Sequence, residues 1–386
     1  MTAHELIRGQ GLSLSAQAAS DHRAEYRITV RGRTYEIYFA SRDTLIRPAA
    51  EAAALCVAAP AMRTCPELSC RAALSATFTA NLRAFTEHFS RWYPEDYRPV
   101  SLRPDQAITP PQRSGKGRTG TLFTGGVDSF YTLLKHRSEI TDLIYVHGYD
   151  VKLDDTERRE TVSRMLRHVA AQAGINVIEI ETNAIRFFRD FGHWGRQTHG
   201  LAVAAATRHL SELVTTIYVP SSFPDGQTHP WGSHPDTDIL FSDERQRFMH
   251  DGTEASRTDK IRILAGADLA LQNLRVCWKN VAGAYNCGHC EKCLRTMTTL
   301  YAFGALDRSR TFPTRIAPPL VEDVIAADDV SQYFIRENLR VLQERGLLDD
   351  PVTRAWEKVL QRSRFMNRAM LAARKVKSAF WERIAA

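Results

Sequence analysis

The chain has 386 residues, 44% of them hydrophobic and 25% charged, with seven cysteines and a formal net charge of +7. At roughly 150 residues per domain there is room for two or three domains with sizeable cores. The composition excludes disordered, collagen-like and low-complexity chains. No apolar run approaches the ~18–20 residues that span a bilayer, and the longest, residues 52–62, is interrupted by Pro60. Residues 1–15 include Glu5 and no apolar signal core, so a cytoplasmic protein without a transmembrane segment is expected. The charge is uneven. Residues 351–386 hold nine bases against two acids, a net +7 that equals that of the whole chain. The rest is neutral overall, so the basicity belongs to the tail rather than to the main fold.

Residues 1–93 read as a separate α+β unit. Tyr26, Ile28 and Val30 alternate, as do Tyr35, Ile37 and Phe39, with Arg31-Gly32-Arg33 as the turn between them; this predicts a hairpin. Phe78, Leu82, Phe85 and Phe89 recur at helical spacing. Residues 94–118 read as a linker, broken by Pro94, Pro99, Pro104, Pro110 and Pro111 and by glycines.

From residue 119 to about 312 short apolar runs alternate with helical patterns. Strands are predicted at 121–123, 143–147, 175–180 and 216–219, and helices at 128–136, 156–173 and 199–214. Such alternation predicts a parallel sheet with helices on both faces. Residues 313–386 read as a helical extension, with helices at 330–345 and 352–386.

The first predicted strand runs into Thr124-Gly125-Gly126-Val127-Asp128-Ser129, where a helix begins. Glycines at such a junction remove Cβ atoms, so that several amide groups can converge on an anion, and the helix N-terminus adds partial positive charge. Ser129 can donate a hydroxyl to a phosphate oxygen, and Asp128 can hold Mg²⁺ or cap the helix. The plain alternative is a tight turn with an Asp/Ser cap. Gly115-Lys116-Gly117-Arg118-Thr119-Gly120 also fits a dinucleotide pattern but precedes the strand, so its context is wrong.

Four cysteines fall within 17 residues: Cys277, Cys287, Cys290 and Cys293. Two-residue spacings let successive thiolates face one ion, and four soft ligands suit Zn²⁺. An iron–sulfur cluster stands as the alternative. Lys292 and Arg295 offset the thiolate charge. His147 ends a strand where a nucleotide would lie. His199 opens a helix, and Trp231, His234 and Asp236 sit in a Gly/Pro-rich loop beyond a strand, where α/β sheets bind ligands.

The six-residue loop resembles the SGGxDS phosphate loop of the N-type ATP pyrophosphatases, with Thr124 at the first serine position. That resemblance implies an adenine-nucleotide α-hydrolase (HUP) fold, a five-stranded parallel sheet with ATP bound by Thr124, Gly125, Gly126, Val127, Asp128 and Ser129, and His147 nearby. Together with the cysteine spacing, with Thr258-Asp259-Lys260-Ile261 and with Cys287-Gly288-His289-Cys290-Glu291-Lys292-Cys293-Leu294-Arg295, the chain is similar to the 7-cyano-7-deazaguanine synthase family over residues 120–301. The resemblance implies ATP, Mg²⁺ and Zn²⁺ as cofactors and Asp128, Ser129 and Lys260 as catalytic residues. It also implies adenylation of a substrate carboxylate, attack by ammonia or an amine to give an amide, and further dehydration to a nitrile in the family's fuller reaction.

Where that family has Asp-Tyr-Gly-Gln after its second strand, this chain has His147-Gly148-Tyr149-Asp150, which leaves a small-molecule or macromolecular carboxylate open as substrate. Homodimerisation is common in the family. The basic C-terminal helix offers a surface for a protein or RNA partner. Two other readings stand beside this one: a sulfur transferase for tRNA or a small molecule, and a non-catalytic subunit that binds nucleotide or a partner.

Overall fold

The computed structural model describes residues 4–111, 117–281, 283–363 and 365–373. Gly115 and Lys116 of the rejected dinucleotide string, and residues 374–386 of the basic tail, lie outside them. Strands β1 (His4–Gly9), β2 (Leu12–Ser20), β3 (Arg23–Val30) and β4 (Arg33–Ser41) form an antiparallel meander, followed by helix α1 (Ala50–Thr64), β5 (Glu67–Ser75), α2 (Ala76–Trp92) and β6 (Ser101–Ile108). The alternating part runs β7 (Arg118–Leu122), α3 (Val127–Lys135), β8 (Asp142–His147), α4 (Thr156–Ala173), β9 (Asn176–Thr182) and α5 (Ile185–Asp190). A π turn (Trp194–Thr198) leads into α6 (His199–Arg208), then β10 (Val214–Pro220), α7 (Pro235–Asp238), a 3₁₀ turn (Ile239–Phe241) and β11 (Arg247–Asp251).

From there the chain is helical: α8 (Arg257–Leu264), α9 (Asp268–Asn273), α10 (Glu291–Ala302), α11 (Pro318–Glu322), α12 (Asp329–Glu344) and α13 (Pro351–Gln361). Two compact units result. One joins the residues up to Thr124 with Thr132–Glu254, and the other joins Gly125–Tyr131 with the chain from Ala255 onward.

The first unit holds all eleven described strands in one sheet, ordered β11-β10-β7-β8-β9-β4-β3-β2-β1-β5-β6. This corrects the expected fold. The sheet is not a five-stranded parallel HUP sheet but an eleven-stranded mixed one. The pairings from β11 to β9 are parallel, those from β9 through β4 to β5 are antiparallel, and β5 with β6 is parallel again. The physical reason is at β9. A parallel run that ended there would expose a row of unpaired amides and carbonyls. Strand β4 covers that row, with Phe39 opposite Thr182 and Ser41 opposite Ile180. The hairpin legible at 26–39 thus extends the main sheet, although its alternation says nothing about which edge it joins.

The segment read as a linker also contributes a strand. Pro104 lies within β6, an outermost strand, where a missing N–H removes no interior ladder bond. The apolar run 52–62 is the fully buried face of α1, which packs against α6 and the antiparallel strands. Alanines dominate that contact and let the two backbones approach closely. The expected helix 352–386 breaks after Gln361, because the Arg362 backbone turns extended and its guanidinium is drawn to the carbonyls of Val324 and Glu322. Residues 365–373 are helical again.

Within the sheet-bearing unit, Arg208 at the end of α6 pairs with Asp243 at 2.8 Å, both side chains 1% exposed. Burial would raise the Asp243 carboxyl, but the Arg208 guanidinium outweighs it and holds the group below the ordinary carboxylate range. The sign follows: this contribution is complete above the unfolded carboxyl's pKa and fades as pH falls through the lower folded value. Replacing Arg208 by Leu strands a buried carboxylate, and we expect a loss of about 3–5 kcal/mol in urea unfolding at neutral pH. Much of that loss should return in the Arg208→Leu/Asp243→Leu double variant.

Candidate active site and metal centre

The glycine loop and the start of α3 group with the helical unit. Gly125 has φ +76°, a left-handed conformation that side chains beyond glycine adopt only with strain. Its carbonyl accepts from the Arg275 amide at 2.7 Å. The first helical bond runs from Phe130 N–H to the Gly126 carbonyl, so the amides of Gly126 and Val127 precede the hydrogen-bonded turns, as at any helix N-terminus. Ser129 is buried and donates its hydroxyl to the Gly126 carbonyl at 3.0 Å. It therefore braces the loop it was expected to serve as a phosphate donor. Thr124 is exposed and belongs to the sheet-bearing unit.

Asp128 is the focus of the site. Lys260 Nζ stands 3.5 Å from one carboxylate oxygen and Arg257 3.3 Å from the other. Both bases lie in the first turn of α8, which Ser256 caps by accepting the Asp259 amide. Burial alone would raise the Asp128 carboxyl; Lys260, then Arg257, then Arg295 and Lys292 outweigh it and keep it below the usual range. Arg295, on α10, is buried, stacks 3.9 Å over the Phe334 ring and lies 3.4 Å from Glu291. Burial, then repulsion from Arg257, push its pKa down to about 10. The Nε atoms of Arg257 and Arg295 are buried and make no hydrogen bond. Two unsatisfied guanidinium donors beside a glycine loop are what an incoming phosphate would satisfy.

The sequence singled out Asp128 and Lys260, and the structure brings them together. It missed Arg257, although that residue stands just before the Thr258-Asp259-Lys260 string, and it read Arg295 only as a counter-charge for thiolates. His147 belongs to the sheet-bearing unit. It is buried at the end of β8, with Nε2 2.7 Å from Glu179, which also accepts from Ser163 and lies 3.3 Å from Arg167. His147 lines a charged cavity of about 720 Å³ beside α4.

The four cysteines converge. Their Sγ atoms lie within 4.8 Å of one another, and those of Cys287 and Cys293 are 3.8 Å apart. Four thiolates around one Zn²⁺ at about 2.3 Å stand about 3.8 Å apart, so the set fits a single tetrahedral ion. A polynuclear iron–sulfur cluster inserts several irons and sulfides between its thiolates and spreads them wider. Gly288, at φ +71°, makes the knuckle turn, and the Cys290 amide donates to Cys287 Sγ at 3.3 Å. Asn286 ties the site to its surroundings. Its side-chain carbonyl accepts the amides of Val276 and Cys277, and its NH₂ donates to the carbonyls of Leu274 and Thr311.

No protein-family model matches this chain, and no curated protein matches it. Among the described residues no helix is long and apolar enough to cross a membrane. For the metal centre we expect about one zinc per chain by elemental analysis. Cys290→Ser should lose that metal and lower the melting temperature of the helical unit. Iron with sulfide absorption in the visible would overturn the single-ion assignment.

Proposed function

We propose that this chain uses ATP to adenylate a substrate carboxylate, releasing pyrophosphate, and that ammonia or an amine then displaces AMP to give an amide. The observation that carries the reading is the cluster around Asp128. A glycine loop at a helix N-terminus, Lys260, and two buried guanidinium groups with unsatisfied Nε–H donors make a cation-rich cradle for phosphate oxygens. In this reading Gly125 and Gly126 bring backbone amides to the nucleotide. Lys260, Arg257 and Arg295 stabilise the charge that develops as pyrophosphate departs, which makes the catalysis electrostatic and positional. Mg²⁺, with Asp128 as its carboxylate, would neutralise part of the phosphate charge. The cysteine site is structural here: it fixes the N-terminus of α10, which bears Arg295. A sulfur transferase built on a polynuclear cluster fits less well, because thiolates within 4.8 Å of one another suit one ion.

The test is release of AMP and pyrophosphate from ATP with Mg²⁺ and ammonium, across deazapurine carboxylate and a panel of other acids. One acid should stimulate AMP formation, and Lys260→Met should reduce kcat by about 10²-fold or more. Asp128→Ala should abolish turnover. Formation of ADP in place of AMP sinks the reading.

A further inference from the structure

The loop after β10 and the strand β11 enclose a small cavity of about 60 Å³, lined by Ser221, His229, Trp231, His234, His250 and, from the start of α6, His199. In three of these imidazoles Nδ1 is committed as a donor. His250 Nδ1 lies 2.7 Å from the Asp238 carboxylate, His199 Nδ1 3.2 Å from the Trp194 carbonyl, and His229 Nδ1 3.2 Å from the Gln227 carbonyl. None of those partners can donate, so each neutral ring carries its proton on Nδ1 and presents an Nε2 lone pair. His229 Nε2 is buried and has no hydrogen-bond partner. Burial also pushes the His199 pKa down, which keeps that ring neutral.

A second, independent observation concerns charge. Asp238 is 1% exposed. It accepts from the Ser233 hydroxyl at 2.6 Å, the His234 amide at 3.3 Å and His250. Among the described residues no lysine or arginine pairs with it. Its ion-pair partner is the His250 imidazole; a carboxylate buried this deeply is stabilised by further N–H donors that carry positive charge, and the adjoining cavity is where one would sit. Trp231 and Phe223 stand 6.3 Å apart beside His229, and ring faces of this kind favour an ammonium group.

We propose that this cavity binds ammonium or a small primary amine, which donates N–H bonds to the imidazole Nε2 atoms and balances the charge of Asp238. The volume admits only a few heavy atoms. Water would satisfy lone pairs but not the carboxylate's charge. Imidazoles backed by carbonyl and carboxylate partners are also met around metals, but these side chains form no metal-ligating group among the described residues. Amine donors reach their acceptors at about 2.9 Å, a looser requirement than a coordination bond. The inference draws on the proposed reaction only for the use made of the amine.

The experiment is a titration of the full chain, ¹³C-labelled at histidine, with ammonium and methylammonium chloride, followed by the imidazole resonances. Sodium and tetramethylammonium chloride serve as controls, the first without N–H donors and the second without room or donors. Saturable shifts at His199, His229 and His250 with ammonium and methylammonium alone support the proposal. Asp238→Asn should weaken the binding about tenfold or more. His229→Phe, which keeps the ring packing, should also weaken it should the first variant fold poorly. No saturable shift with ammonium, equal shifts with sodium, or saturation by Zn²⁺ with ammonium inert would each overturn it. AMP release separates the two readings. Ammonium binding without any AMP formation sinks the adenylation reading alone, whereas AMP formation without ammonium binding here sinks the amine site alone.

Discussion

The carboxylate of Asp128 is the constraint on which the candidate site depends. Lys260 and Arg257 share the first turn of α8 and are both almost fully buried, while Arg295 approaches from α10 and feels the repulsion of Arg257. Three cations desolvated together would not hold this arrangement without a counter-charge. Asp128 supplies one negative charge at 3.3–3.5 Å, separations longer than a tight bidentate pair. Glu291, 3.4 Å from Arg295, supplies a second, and two guanidinium Nε–H donors still make no hydrogen bond. Those donors are where an anion would bind.

The thiolate site matters through what it orders. Cys290 is the N-cap residue of α10, so an ion held by the four thiolates would fix the helix end from which Arg295 projects. Asn286, one residue before Cys287, bonds to the backbone at Leu274, Val276 and Cys277. Between those positions the Arg275 amide donates to Gly125, the left-handed residue of the glycine loop. Hydrogen bonds joined by the 274–277 backbone therefore link the cysteine knuckle to a glycine loop more than 150 residues earlier in the chain.

How much of this was legible in the sequence depended on the range of the interaction. Spacing within a few residues was readable: the cysteine knuckle, the glycine loop with its helix, and the alternation at 26–39 all reflect local geometry. Pairing between distant segments was not. Nothing in the pattern of β4 or β9 says that they meet, yet that pairing turns an expected separate unit and a parallel sheet into one mixed sheet. Proline misled in a specific way. Pro104 reads as a breaker, but an outermost strand tolerates it. Arg257 and Asp238 were invisible for another reason. Each stands out by its burial, which a sequence does not display.

The sheet itself explains where the reactive side chains of the first unit collect. In a parallel run every strand delivers its carboxyl end to the same edge, and ligands bind there in open α/β sheets. His147 ends β8, Ser221 follows β10, and His250 lies next to last in β11. The antiparallel strands alternate their ends between two edges, and the ends of β2, β3 and β4 at Ser20, Arg23 and Ser41 join His147 in lining the larger cavity. Their contribution is a covered edge at β9 and a core built on α1 and α6. The mixed sheet thus joins a parallel run, with His147, Ser221 and His250 at or just beyond its strand ends, to an antiparallel half that packs on α1.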